Sequence, residues 1–170
     1  MVARPSVYRD VMSQLEIPRF GELLGPYIGR VPAEAMPRFL ALLERTAADR
    51  YRQWADDLPE HRDGLLKCAE SEDEIANRIE GAFALDESLR DQLVAPLPEA
   101  KKVYYDTFSR FSVWDQLRIQ ANAERQGAQA WRNIAARHPD QRVIDVLESC
   151  SQLEEASADY LDDLICRHAS

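Results

Sequence analysis

From residue 33 onward, apolar and small side chains recur at three- and four-residue intervals, the spacing that puts them on one face of a helix. Four such stretches stand out, at about 33–58, 60–80, 110–137 and 140–166. The first carries Ala41, Ala48, Tyr51 and Ala55 and stops at Pro59. The second carries Leu65, Cys68, Ile75 and Ile79, weakens at Gly81, and has an extension to about 95 through Asp86 to Val94, where Pro96 and Pro98 end it. The third carries Trp114, Leu117, Ala121, Ala128, Trp131 and Ala135 and ends before Pro139. The fourth carries Val143, Leu147, Cys150, Ser157, Leu161 and Leu164. A strand-type alternation is hard to find anywhere, so the chain is expected to be all-α.

Connection lengths arrange these stretches. The first and second helices, and the third and fourth, are joined by short turns, so each pair should form an antiparallel hairpin. The segment from Gly81 to Phe108 is long enough, at about 3.3 Å per extended residue, to travel the length of a bundle. Residues 1–32 hold Pro5, Pro18, Pro26 and Pro32 with Gly21, Gly25 and Gly29. That density of breakers allows at most short helical turns, around Val7 to Leu15, and marks an N-terminal arm preceding a helical domain at 33–170.

The two hairpins resemble each other. ERTAADRYRQWADDLP from Glu44 aligns with ERQGAQAWRNIAARHP from Glu124 at one constant offset, pairing Tyr51 with Trp131, Arg52 with Arg132 and Pro59 with Pro139. CAESEDEIANRIE from Cys68 aligns with CSQLEEASADYLD from Cys150, pairing Glu72 with Glu154 and Asp73 with Glu155. The offset grows slightly between the two matches, as a small insertion at a turn would produce. An internal duplication is expected.

Each apolar seam is broken by a single glutamate: Glu44, Glu72, Glu124 and Glu154. A carboxylate buried alone costs several kcal/mol, and four converging ones repel until some stay protonated. A metal cluster is one way to compensate them. On these residues, over about 33 to 168, the chain resembles the ferritin-like superfamily: a four-helix bundle built from a duplicated hairpin, with one long crossover between helices 2 and 3. The resemblance implies a di-metal centre of Fe or Mn. In it Glu44 and Glu124 match the single glutamates, and Glu72 and Glu154 match the glutamates of two Glu-x-x-His motifs. The histidines are missing: Ile75 and Ser157 stand in their places, and His61, His138 and His168 lie toward helix ends.

This departure divides the functional expectation. One reading is a divergent ferritin-like bundle without a conventional di-iron centre, with a structural, binding or interaction role. Its glutamates then form a polar layer that Arg45, Arg52, Arg125 and Arg132 could neutralise. The alternative is a metal-dependent oxidoreductase or metal-handling protein whose metal ligands are Glu44, Glu72, Glu124 and Glu154 alone, an all-oxygen set suited to hard ions. The cofactor is accordingly either none or a di-metal centre. No Gly-rich phosphate loop and no nucleophile–base spacing indicates other chemistry.

Charge and composition narrow the partners. With a net charge of -9 and no basic cluster longer than Lys101-Lys102, nucleic-acid binding is not expected. No apolar run approaches the roughly 20 residues of a membrane helix. Arg4, Arg9, Asp10, Glu16 and Arg19 interrupt any signal-peptide core, so a cytoplasmic location is expected, with Cys68, Cys150 and Cys166 as thiols. In antiparallel helices, Cys68 and Cys150 would fall on opposite sides of the glutamate layer, roughly 12 Å apart. A homodimer is compatible with the apolar faces and the arm, and the identity of any small-molecule ligand is not encoded in a motif.

Overall fold

The computed structural model describes residues 15–169, and every regular element among them is helical. The helices are α1 (Phe20–Ile28), α2 (Met36–Asp57), α3 (Arg62–Ala82), α4 (Arg90–Val94), α5 (Leu97–Phe108), α6 (Val113–Ala135) and α7 (Gln141–His168). Short 3-10 turns at Ala33–Ala35, Pro59–His61 and Glu87–Leu89 lead into α2, α3 and α4. Two long helices have side-chain N-caps. The Ser112 hydroxyl accepts from the Asp115 amide at α6, and the Asp140 carboxylate accepts from the Arg142 amide at α7. Each satisfies a backbone donor that the first turn leaves unpaired.

The densest packing joins α2 to α3 and α6 to α7, with α3 against α7 next. Ion pairs along the outside give the directions. Arg45 reaches Asp73 and Glu80, whereas Arg52 reaches Asp73, so α2 and α3 run antiparallel. Arg125 pairs with Asp159 and Asp162, and Arg132 with Glu155, so α6 and α7 do too. Between the pairs, Trp54 donates to Gln116 and Tyr51 to Glu124, which sets α2 antiparallel to α6.

The core divides into layers. One apolar cluster holds Tyr51, Trp54, Leu65, Cys68, Leu117 and Leu161; another holds Ala41, Ile75, Ile79, Trp131, Leu147 and Cys150. On each of α2, α3, α6 and α7, the seam glutamate lies between the residues given to the first cluster and those given to the second. Cys68 and Cys150 are buried thiols on opposite sides of this layer, as the sequence spacing requires. Burial pushes both up to about 12, so neither is a ready thiolate.

Two local expectations give way. The turns placed around Val7 to Leu15 lie outside the described residues, apart from Leu15. Farther along the Pro/Gly-rich arm, α1 is a nine-residue helix containing Pro26. Packing overrides its breakers: Phe20 and Leu24 are buried against the domain, and Gln126 of α6 accepts from the Phe20 amide and donates to the Pro18 carbonyl. In the crossover, α3 ends at Ala82 and the helix near Val94 is separate. That helix does stop at Val94, before Pro96, but the two prolines also begin α5, because a proline in the first helical turn gives up an amide that has no partner anyway.

Candidate metal centre

Helical phase delivers the four glutamates to one level. Glu72, Glu124 and Glu154 are almost wholly buried, and Glu44 is partly buried. Carboxylate oxygens of Glu44, Glu72 and Glu154 lie within 4.8 Å of one another. Glu124 adjoins this triad through a carboxyl–carboxyl hydrogen bond with Glu154.

The surrounding donors are unevenly shared. Glu124 Oε1 accepts from the Tyr51 hydroxyl and from Gln120 Nε2, both at 2.6 Å. Tyr104 of α5 in turn donates to Gln120 Oε1 at 2.9 Å, so the crossover helps to hold this carboxylate. The Trp131 indole donates to Glu154 Oε1 at 3.0 Å. Glu72 receives nothing of this kind: as a carboxylate, both of its oxygens are buried without a donor. A proton shared with a neighbouring carboxyl, a water of the cavity that Glu72 lines, or a cation would satisfy them.

The electrostatics follow from this crowding. Burial raises the Glu44 carboxyl from its ordinary 4.5 to about 7; a hydrogen bond with Glu72 opposes that rise and the charge of Glu124 adds to it. Burial, and then the charges of Glu124, Glu154 and Glu44, drive Glu72 well above the carboxyl range. Glu154 is raised likewise, by burial first and then by Glu44 and Glu124. The arginines do not relieve them. Arg45, Arg52, Arg125 and Arg132 pair with outward-facing acids, because their seam-adjacent phase points them at the neighbouring helix's flank.

The backbone approaches closely at one point. A Cβ built on Gly127 of α6 would lie 2.6 Å from Glu154 Oε1 and 2.9 Å from its Cδ. Above the carboxylates opens a cavity of about 380 Å³. Phe20, Leu24 and Ile28 of α1, Leu40 and Leu43 of α2 and Ala130 of α6 line it, and all four glutamates are reached from it.

Thus the four glutamates selected by phase do converge, three of them tightly. Histidine takes no part: His61 and His168 flank Trp114, the latter stacked on its ring at 3.6 Å, and His138 packs against Phe83. Gly127, Gln120 and Tyr104 escaped the sequence reading. For Gly127 a signal existed, since a glycine inside a helix costs about 1 kcal/mol relative to alanine and calls for a reason. No helix among the described residues is long and apolar enough to cross a membrane. No family model matches the chain, and no curated protein or solved structure matches it.

Proposed function

We propose that this protein is a ferritin-like four-helix bundle that binds iron or manganese in a carboxylate-only centre made by Glu44, Glu72, Glu124 and Glu154. The observation that carries this reading is Glu72: a fully buried carboxylate, beside two others, whose oxygens no protein donor reaches except a protonated Glu44 carboxyl. The residues fit the group. All ligand atoms are hard oxygens, the set preferred by Mg, Ca, Mn and oxidised iron over softer ions. Tyr51 and Gln120 orient Glu124, and Trp131 orients Glu154, as outer hydrogen bonds do around metal ligands.

The fold reading draws support from direction and pairing. With α2 antiparallel to both α3 and α6, the two hairpins must be joined by one long crossover and not by successive short turns. The duplication draws support from Arg52–Asp73 and Arg132–Glu155, ion pairs between residues that the alignment of the two hairpins makes equivalent. Bound there, iron or manganese supplies Lewis-acid and redox chemistry. The chain itself contributes charge balance, a fixed ligand geometry and an apolar approach.

A metal-free polar layer is the competing reading, favoured by the raised carboxyls of Glu44, Glu72 and Glu154, of which Glu44 and Glu72 can share a proton. Expression with supplemented manganese or iron, followed by elemental analysis, separates the two. We expect tightly held metal, a lower melting temperature after chelation, and loss of metal in Glu72→Gln. That isosteric variant removes the cost of ionising a buried carboxyl, so its metal-free form should melt at or above the metal-free wild type. Metal-free wild-type protein, indifferent to chelator, would sink the proposal.

A further inference from the structure

The cavity above the carboxylates has walls that metal binding alone does not use. They are apolar on three sides, from α1, α2 and α6, while the floor is acidic. The polar side chains along it are already committed. Gln126 holds the start of α1, Gln120 holds Glu124, and Gln129 donates to Asn133 at the rim. Among the described residues no lysine, arginine or histidine lines the cavity, so a free anion meets no counter-charge from them. Two divalent ions would balance four carboxylates, leaving a floor with no net charge to receive an ammonium or a carboxylate. A charged group leaving water for the apolar walls loses hydration that they do not replace.

The size and opening suit a small organic molecule. About 380 Å³ falls in the range of roughly 300–1,000 Å³ typical of such pockets. Small residues keep it open: Gly21, Ala123, Gly127 and Ala130 all border it, and a Cβ on Gly21 would meet nothing within 4 Å. Gly21, Gln129 and Ala130 are exposed and mark the mouth.

We propose that this cavity binds an uncharged, predominantly hydrocarbon small molecule, held by the walls of α1, α2 and α6 with one end at the carboxylate floor. The neutrality of the floor rests on the metal reading; the apolar walls do not.

The test is a titration of the manganese-loaded full chain, its metal content measured, with hexan-1-ol and octan-1-ol. Hexanoate and hexylammonium run beside them as charged probes of the same chain length. Each added methylene should tighten binding about fourfold, making octanol on the order of tenfold tighter than hexanol. Both charged probes should bind at least about tenfold more weakly than hexanol. Ala123→Leu, inside the cavity, and Ala130→Trp, at its exposed mouth, should each weaken octanol about tenfold or more, with manganese content unchanged. Affinity independent of chain length, or unaffected by both substitutions, would overturn the proposal, as would a charged probe binding as tightly as hexanol. If the chain holds no manganese, the metal reading falls by itself. The chain-length series and the two variants then still decide for or against the walls, and a tight hexylammonium complex would overturn the uncharged ligand.

Discussion

At Gly127 the space of one methyl group separates α6 from the Glu154 carboxylate. Alanine there favours the helix by about 1 kcal/mol, yet its Cβ would stand 2.6 Å from Glu154 Oε1, so the carboxylate must shift. Glu154 is buried and fixed by Trp131, so the shift breaks that bond or disturbs its neighbours. Gly127→Ala should therefore destabilise the protein by about 1–3 kcal/mol despite its better helix propensity. It should also weaken metal binding by about tenfold or more. Urea denaturation and metal titration would measure both; a stabilised variant with full metal affinity would contradict the close approach. Tyr51, Gln120 and Trp131 show the same logic in reverse, each supplying a donor where a buried oxygen needs one.

Among the elements, α1 is the one least able to stand alone. Nine residues with Pro26 in the last turn form no stable helix in isolation. It exists because Phe20 and Leu24 bury themselves and because Gln126 binds its first amide and the preceding carbonyl. Replacing Gln126 with Ala should release α1 without unfolding the rest. Hydrogen exchange at residues 20–28 should rise by about an order of magnitude, with α2, α3, α6 and α7 keeping their protection. Equal loss of protection everywhere would mean that α1 is part of the global folding unit. Since α1 walls the cavity, the same substitution should weaken octanol binding. In the crossover, α5 likewise depends on tertiary contact. Tyr104 and Phe108 pack against Phe20 and Trp54, and Tyr104 carries the bond to Gln120.

For the molecule as a whole, the buried carboxyls tie stability to pH. Glu44 is raised to about 7 in the folded chain against an ordinary 4.5, so between those values the folded state holds protons that the unfolded state has released. Stability of the metal-free protein must then fall as pH rises through this window, and the raised Glu72 and Glu154 carry the loss further upward. Metal bound as proposed would reverse the sign, because its ligands would have to shed those protons and its affinity would grow with pH. Chelated protein should melt lower at pH 8 than at pH 6. Manganese should remove or invert that difference, and Glu72→Gln should flatten it. Thermal melts at the two pH values, with and without chelator, provide the check; a flat profile for the chelated wild type would contradict the buried charge.

The sequence by itself determined the periodic features. A 3-4 spacing of apolar residues is a property of the local helix, so α2, α3, α6 and α7, their buried faces and the level of the four glutamates could be read residue by residue. Burial of Tyr51 and Trp131 followed from the same phase. The tertiary structure decided whatever depends on contacts between distant segments. It made a helix of residues 20–28 against their local preference, started α5 at prolines expected to end a helix, and turned the arginines away from the glutamate layer. It also chose which oxygens receive donors and which, on Glu72, receive none. Phase fixes which way a side chain points along its own helix; only the packing of neighbouring helices fixes what it meets there.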